Sequence, residues 1–110
     1  MISTFQEYSE QARSFAHYPK DLSVAYLLLG LTGEAGELAN KYKKVLRDDS
    51  GEMSTDAILA MRAEVGDVLW YLDRLAETLG SSLEDEATHN IAKLTDRHNR
   101  GVVSGSGDQR

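Results

Sequence analysis

The chain has 110 residues, with 12 Lys and Arg against 18 Asp and Glu, no Cys, one Pro and nine Gly. That length holds one domain, and 41% apolar against 27% charged residues is the composition of a folded chain rather than a disordered one. A net charge of -6 argues against nucleic acid as a partner, because a polyphosphate backbone is held by clustered Lys and Arg; the absence of Cys removes disulfides, Cys-ligated zinc, iron–sulfur clusters and thiol nucleophiles.

Helical periodicity dominates the chain from its first residues to about Arg100. A first helix is expected from about Thr4 to His17, with Ser3 and Gln6 in capping-box spacing, Phe5, Tyr8, Ala12 and Phe15 on one stripe, and Tyr18-Pro19 as its end. A second opens at Asp21 as N-cap and reaches about Arg47, carrying Val24, Leu28, Leu31, Ala35, Leu38, Tyr42 and Val45. Lys41, Lys43, Lys44 and Arg47 suit the negative end of its dipole. After the turn-rich linker 48–52, Thr55 is expected to cap a third helix bearing Ile58, Met61, Val65, Val68, Leu72, Leu75 and Leu79, which Gly80 stops. Ser81 or Ser82 caps a fourth, running to about Arg100 with Leu83, Ala87, Ile91, Leu94 and Thr95 inward. Residues 101–110, rich in Gly and Ser, have no period and read as a tail or lid.

The expected fold is all-α, a four-helix bundle-like chain. Its second and third helices would be about 40 Å long, too long for so small a chain to cover, so a homo-oligomer, dimer or tetramer, is expected. The N-terminus, Met1 to Glu7, lacks the basic region and apolar core of a signal peptide, and no apolar run approaches a membrane span. A cytoplasmic protein with no membrane partner is the expectation.

Glu34-Ala35-Gly36-Glu37 on the second helix and Glu64-Val65-Gly66-Asp67 on the third are both acid-x-x-acid. Residues three apart share a helical face, and both pairs sit roughly 90° from the apolar stripe, at the border between core and solvent. One such pair is commonly just a solvated face, but two on consecutive helices are rarer. Four converging carboxylates would repel one another unless a divalent ion neutralises them. All-oxygen ligands without Cys or convergent His select a hard ion, Mg²⁺ or Mn²⁺, of the kind that holds phosphate oxygens and activates water. Gly30, Gly33, Gly36 and Gly66 lie inside helices at about 1 kcal/mol each relative to Ala, which close helix packing or room for a ligand would explain.

These blocks, Leu31-Thr32-Gly33-Glu34-Ala35-Gly36-Glu37-Leu38 and Glu64-Val65-Gly66-Asp67-Val68-Leu69-Trp70-Tyr71, resemble the E-x-x-E…E-x-x-D signature of the MazG-like nucleoside triphosphate pyrophosphohydrolases. That family belongs to the all-α NTP pyrophosphatase superfamily, with dimeric dUTPases and phosphoribosyl-ATP pyrophosphatase. The resemblance covers roughly residues 22–100. Asn90-Ile91-Ala92-Lys93-Leu94-Thr95-Asp96-Arg97 is similar to the family's Asn-x-x-Lys-Leu-x-x-Arg stretch, and the tail 105–110 resembles those of small single-domain members in phages and mobile elements.

The resemblance implies that Glu34, Glu37, Glu64 and Asp67 ligate Mg²⁺, with Glu37 or Glu34 alternatively orienting or deprotonating water. The implied reaction is hydrolysis of a nucleoside triphosphate at the α–β bond to monophosphate and pyrophosphate. Lys41, which projects beside Glu37, and Lys93 and Arg97, four apart on the fourth helix, are candidate phosphate contacts; ordinary helix-surface pairing is the alternative for each. Trp70 or Tyr71 would stack on a base or fill a subunit seam. Asn90 would bond a sugar, a base or a ligating carboxylate, and Arg110 would add a charge if the tail closes as a lid. His17, His89 and His98 share no spacing and are expected to be exposed; Glu86-x-x-His89 matches a di-iron half-motif that such bundles need twice, and it occurs once. The rival to a hydrolase is a non-catalytic helical oligomerisation or regulatory module, which accounts for the long amphipathic helices but not for the doubled carboxylates.

Overall fold

With apolar residues recurring three and four apart and little alternation, helix is the local solution along almost the whole sequence. The computed structural model describes residues 1–110 and is all-helical: α1 Phe5–Ala12, α2 Ser23–Asp49, α3 Thr55–Thr78 and α4 Leu83–Arg100, with 3₁₀ turns at Arg13–Phe15 and Lys20–Leu22. Capping chemistry sets the boundaries. Thr4 Oγ1 accepts from Glu7 N at 3.1 Å while Ser3 N donates to the Glu7 carboxylate at 2.9 Å, a reciprocal cap one residue later than the Ser3/Gln6 spacing predicts. Ser54, not Thr55, caps α3, accepting from Ala57 N, and Ser82 caps α4, accepting from Asp85 N, each at 3.1 Å. Asp21 caps nothing, because Lys20–Leu22 winds into a 3₁₀ turn before α2 begins. The first helix is shorter than its stripe suggests and tightens after Ala12.

At 1.5 Å per residue α2 and α3 are about 40 and 36 Å long. Gly30 lies opposite Tyr71 and Lys41 reaches Glu64, so the pairings run in opposite order along the two helices and the hairpin is antiparallel. Its turn needs a left-handed residue at Ser50 (φ 55°) and another at Gly51 (φ 84°). The fourth helix packs on α1 and on the end of α3, where Leu83 and Ala87 meet Leu72, Leu75, Ala76 and Leu79 across an open groove.

Only seven residues are buried, and four of them are ionic: Ala12, Leu27, Val45, Glu64, Asp73, Arg74 and Arg97. Most of the predicted stripes face outward. Val24, Leu28 and Tyr42 on α2, Ile58, Val65, Leu72 and Leu79 on α3, and Ile91 and Leu94 on α4 are all exposed, and Leu27, off the predicted stripe, is the one fully buried leucine. The four predicted helices are present, but within one chain they do not close into a bundle. The accessible surface is 7866 Å², against about 6,100 Å² for a compact monomer of this mass. The radius of gyration is 16.9 Å, against about 13 Å for a compact domain of this length.

Asp73 and Arg74, two of the buried ionic residues, belong to an ionic latch fastening α1 to α3. Asp73 accepts from Ser9 Oγ through one carboxylate oxygen and from Arg74 Nε and Nη2, at 2.9 and 2.6 Å, through the other. Arg74 also bonds Glu77 and the Ser9 carbonyl, and Arg13 holds Glu77 through Nε and Nη2 at 2.9 and 2.6 Å. Trp70 Nε1 donates to the Ala12 carbonyl at 3.2 Å, closing the same face. The Arg13 guanidinium, assisted by Arg74, holds the Glu77 carboxyl below its usual range. A carboxyl depressed on folding stabilises the fold above its unfolded value, about 4.3, and loses that contribution as pH falls through the lower folded value. Emission from Trp70, the one tryptophan, is therefore expected to report loosening of α1 below about pH 4.3. Glu77→Gln should flatten that titration; an identical acid transition in the variant would place its origin elsewhere.

Candidate metal centre

Three of the four predicted carboxylates converge. Glu34 from α2 and Glu64 and Asp67 from α3 each bring an oxygen within 4.8 Å of the others, because acid-x-x-acid spacing on α3 faces Glu34 across the antiparallel hairpin. Glu64 is buried, Glu34 half-buried and Asp67 exposed, so the cluster opens from the helix interface to solvent. Glu37 is exposed and is not part of it.

Glu64 is the electrostatic hub. Its Oε1 accepts from Lys41 Nζ at 2.9 Å, across the hairpin rather than along α2, where pairing with Glu37 was the alternative to a phosphate contact for Lys41. Lys41 first, and then a hydrogen bond shared with Glu34, hold the Glu64 carboxyl below the usual carboxylate range. The converse holds for Glu34, whose carboxyl is pushed up by sharing that bond with Glu64 and by the nearby charges of Glu64, Asp67 and Glu37. Oε2 of Glu64 is buried and, with the cluster ionised, meets no donor. A proton on Glu34, an ordered water or a cation would satisfy it. A donor set of three carboxylates from two helices, all oxygen and with a buried lone pair unmet, fits a hard divalent ion.

Tyr71 stands beside the cluster. Burial pushes its hydroxyl up from the usual range, and Tyr26, Glu34 and Asp67 add to the shift. Gly30 is what admits it: a Cβ there would overlap the Tyr71 ring, so this glycine serves close packing. At Gly33, Gly36 and Gly66 a Cβ would meet open space, so nothing in the chain itself demands their small size.

Behind Tyr71 lies an aromatic cluster that sequence reasoning missed. Trp70 meets Tyr71 edge-on at 5.1 Å and Tyr18 edge-on at 6.3 Å, Tyr18 stacks on Tyr26 at 5.1 Å, and Lys20 Nζ lies 4.6 Å over the Tyr18 ring. The sequence signal was the aromatic next to Pro19, read only as a helix terminator. Trp70 is thus engaged with α1 and Tyr18, while Tyr71 borders the carboxylates.

The remaining predicted contacts lie outside the cluster in this chain. Asn90 lines the groove between α3 and α4. Lys93 and Arg97 bond Asp108, and Arg110 bonds carbonyls of Val102, Val103 and Gly107 within its own tail. His17, His89 and His98 are exposed, as expected, with His89 Nδ1 3.8 Å from Glu86.

The MazG nucleotide pyrophosphohydrolase domain matches residues 22–102, a span that includes Glu34, Glu37, Glu64, Asp67 and all of α4. The chain belongs to the MazG family. The Gene 37 protein of Mycobacterium phage L5 is 46% identical over 87 residues, covering 79% of this chain and 76% of that protein. No solved structure matches the chain. The match begins at the start of α2, so α1 and Tyr18 precede the family region and pack onto it, with the latch joining α1 to Asp73, Arg74 and Glu77 inside that region. No helix is long and apolar enough to cross a membrane.

Proposed function

We propose that this MazG domain hydrolyses (deoxy)nucleoside triphosphates at the α–β bond, giving the monophosphate and pyrophosphate, in housekeeping of the nucleotide pool of the cytoplasm. The observation that carries the reading is the Glu34–Glu64–Asp67 cluster within the family's two acidic blocks, with a buried, undonated oxygen on Glu64. Glu34, Glu64 and Asp67 would hold Mg²⁺, or Mn²⁺ in its place, with Glu37 the fourth candidate ligand from the exposed turn. Bound there, a divalent ion supplies charge neutralisation on phosphate oxygens and acidifies water. Glu34 or Glu37 could, instead of ligating the ion, orient or deprotonate the attacking water. Lys41 can turn its ammonium from Glu64 to a phosphate oxygen on the same side of α2. Tyr71 offers an aromatic surface next to the carboxylates, and Trp70 backs it.

Assembly belongs to the same proposal. A surface about 1,800 Å² larger than that of a compact monomer, much of it contributed by apolar residues of α2, α3 and α4, supports a homo-oligomer, dimer or tetramer. Across such an interface Asn90, Lys93 and Arg97 would reach the carboxylates of another copy. The reading is tested by incubating the chain with each dNTP and NTP and Mg²⁺ while sedimentation reports its mass. Monophosphate plus pyrophosphate from an oligomer is the expected result. Diphosphate plus orthophosphate would mean the wrong bond, and a monomer at micromolar concentration would end the shared site.

A further inference from the structure

Lys93 and Arg97 lie one turn apart on α4, and their charges meet at a single oxygen that no helix supplies. The tail turns back at Gly101 (φ 74°) and again at Gly107 (φ 79°), left-handed conformations that glycine adopts at little cost. The turns bring Asp108 onto α4, where its Oδ1 accepts from Lys93 Nζ and from Arg97 Nη2, each at 2.9 Å. Its carbonyl accepts from Arg97 Nη2 at 3.0 Å. Arg110 ties the loop shut on the Val102 and Val103 carbonyls, at 3.1 Å each. The tail therefore brings a carboxylate to these cations, while Arg110 bonds carbonyls within the tail.

Two features distinguish this contact from an ordinary surface ion pair. Arg97 is the one buried residue of α4, at 4% exposure, and its Nε–H is buried with no acceptor. A guanidinium presents its N–H groups as a rigid fork matched to anions with several oxygens in one plane or face. One carboxylate oxygen shared between two cations leaves part of that fork unmet, and a phosphate group, with three oxygens to offer, can meet it. The second feature is asymmetry: Asp108 is 76% exposed on a glycine-rich loop, whereas Arg97 is fixed within the fold. The carboxylate can leave while the cations stay in place. Lys93 and Arg97 together hold the Asp108 carboxyl below its usual range, so it remains a charged occupant at neutral pH.

We infer that Asp108 is a built-in competitor for the candidate phosphate contacts Lys93 and Arg97, so that the tail and the phosphate groups of a ligand compete for the same two cations. The inference rests on the proposed function only for the identity of that ligand as a nucleotide; the competition itself is a property of α4 and the tail.

The test uses the full chain and inorganic pyrophosphate as the probe, titrated calorimetrically without divalent metal. Asp108→Asn keeps the loop's size and its carbonyl contact but removes the competing charge, and is expected to tighten pyrophosphate binding about tenfold. Adding Lys93→Gln to that variant should abolish the gain. An affinity unchanged in Asp108→Asn, or a gain that survives Lys93→Gln, overturns the inference. Hydrolysis of nucleoside triphosphates with Mg²⁺, assayed in parallel, separates the two proposals. Tightened pyrophosphate binding without hydrolysis upholds the competition and removes the enzyme; hydrolysis with no change in Asp108→Asn does the reverse.

Discussion

Asp67→Asn is expected to lower Mg²⁺-dependent turnover of nucleoside triphosphates about 10³-fold while raising the melting temperature of the metal-free chain. The two effects have one cause. Asp67 shares a 4.8 Å cluster with Glu34 and Glu64, yet the cluster's one cation contact, Lys41, goes to Glu64. Removing the Asp67 charge takes away one of three anionic ligand positions and relieves like-charge repulsion that nothing else in the cluster offsets. A near-isosteric amide keeps the shape, so the result separates charge from packing. Turnover is read by chromatography of the monophosphate, and melting by circular dichroism with a chelator present. Turnover within threefold of the parent would remove the cluster from the chemistry, and a lowered melting temperature would mean that Asp67 has a stabilising partner.

Asp73→Ala should cost about 3 kcal/mol of stability, the lower part of the range for breaking a buried ion pair, because Arg74 keeps Glu77 and the Ser9 carbonyl as partial partners. For a chain of this size that is a fall on the order of 12 °C in melting temperature. Urea unfolding gives the free energy, and Trp70 emission shows whether α1 has come away, since its indole N–H bonds the Ala12 carbonyl. Replacing the pair together, Asp73→Ala with Arg74→Met, should recover much of the loss, because the penalty lies in the charge left behind. A cost below about 1 kcal/mol in the single variant would show Arg74 to be solvated after all.

Helix existence was legible because the apolar spacing of α2 and α3 is long and regular, and the acidic blocks were legible because i, i+3 spacing fixes a shared face whatever surrounds it. Cross-helix register was not. Whether Lys41 meets Glu37 on its own helix or Glu64 on the next depends on how far the hairpin slides, and no local pattern encodes that distance. Nor does a stripe such as Val24, Leu28, Ile58, Val65 and Leu72 say whether it is covered by its own chain, and here it is not. The Asp73-Arg74 doublet lies among apolar neighbours and would ordinarily be assigned to solvent, yet its burial follows from α1, a partner distant in sequence. Asp108 was hidden for a related reason: two glycine turns set its position, and a stretch without periodicity gives no register to count from.

Lys41 and Glu64 form the one ion pair that ties α2 to α3. The hairpin therefore carries its own monovalent placeholder at the level where three acids converge, and the helices can assemble in register before any outside cation arrives. What a divalent ion would meet is not a loose set of acids to be gathered but a seat already built, with an ammonium group to be displaced and redirected.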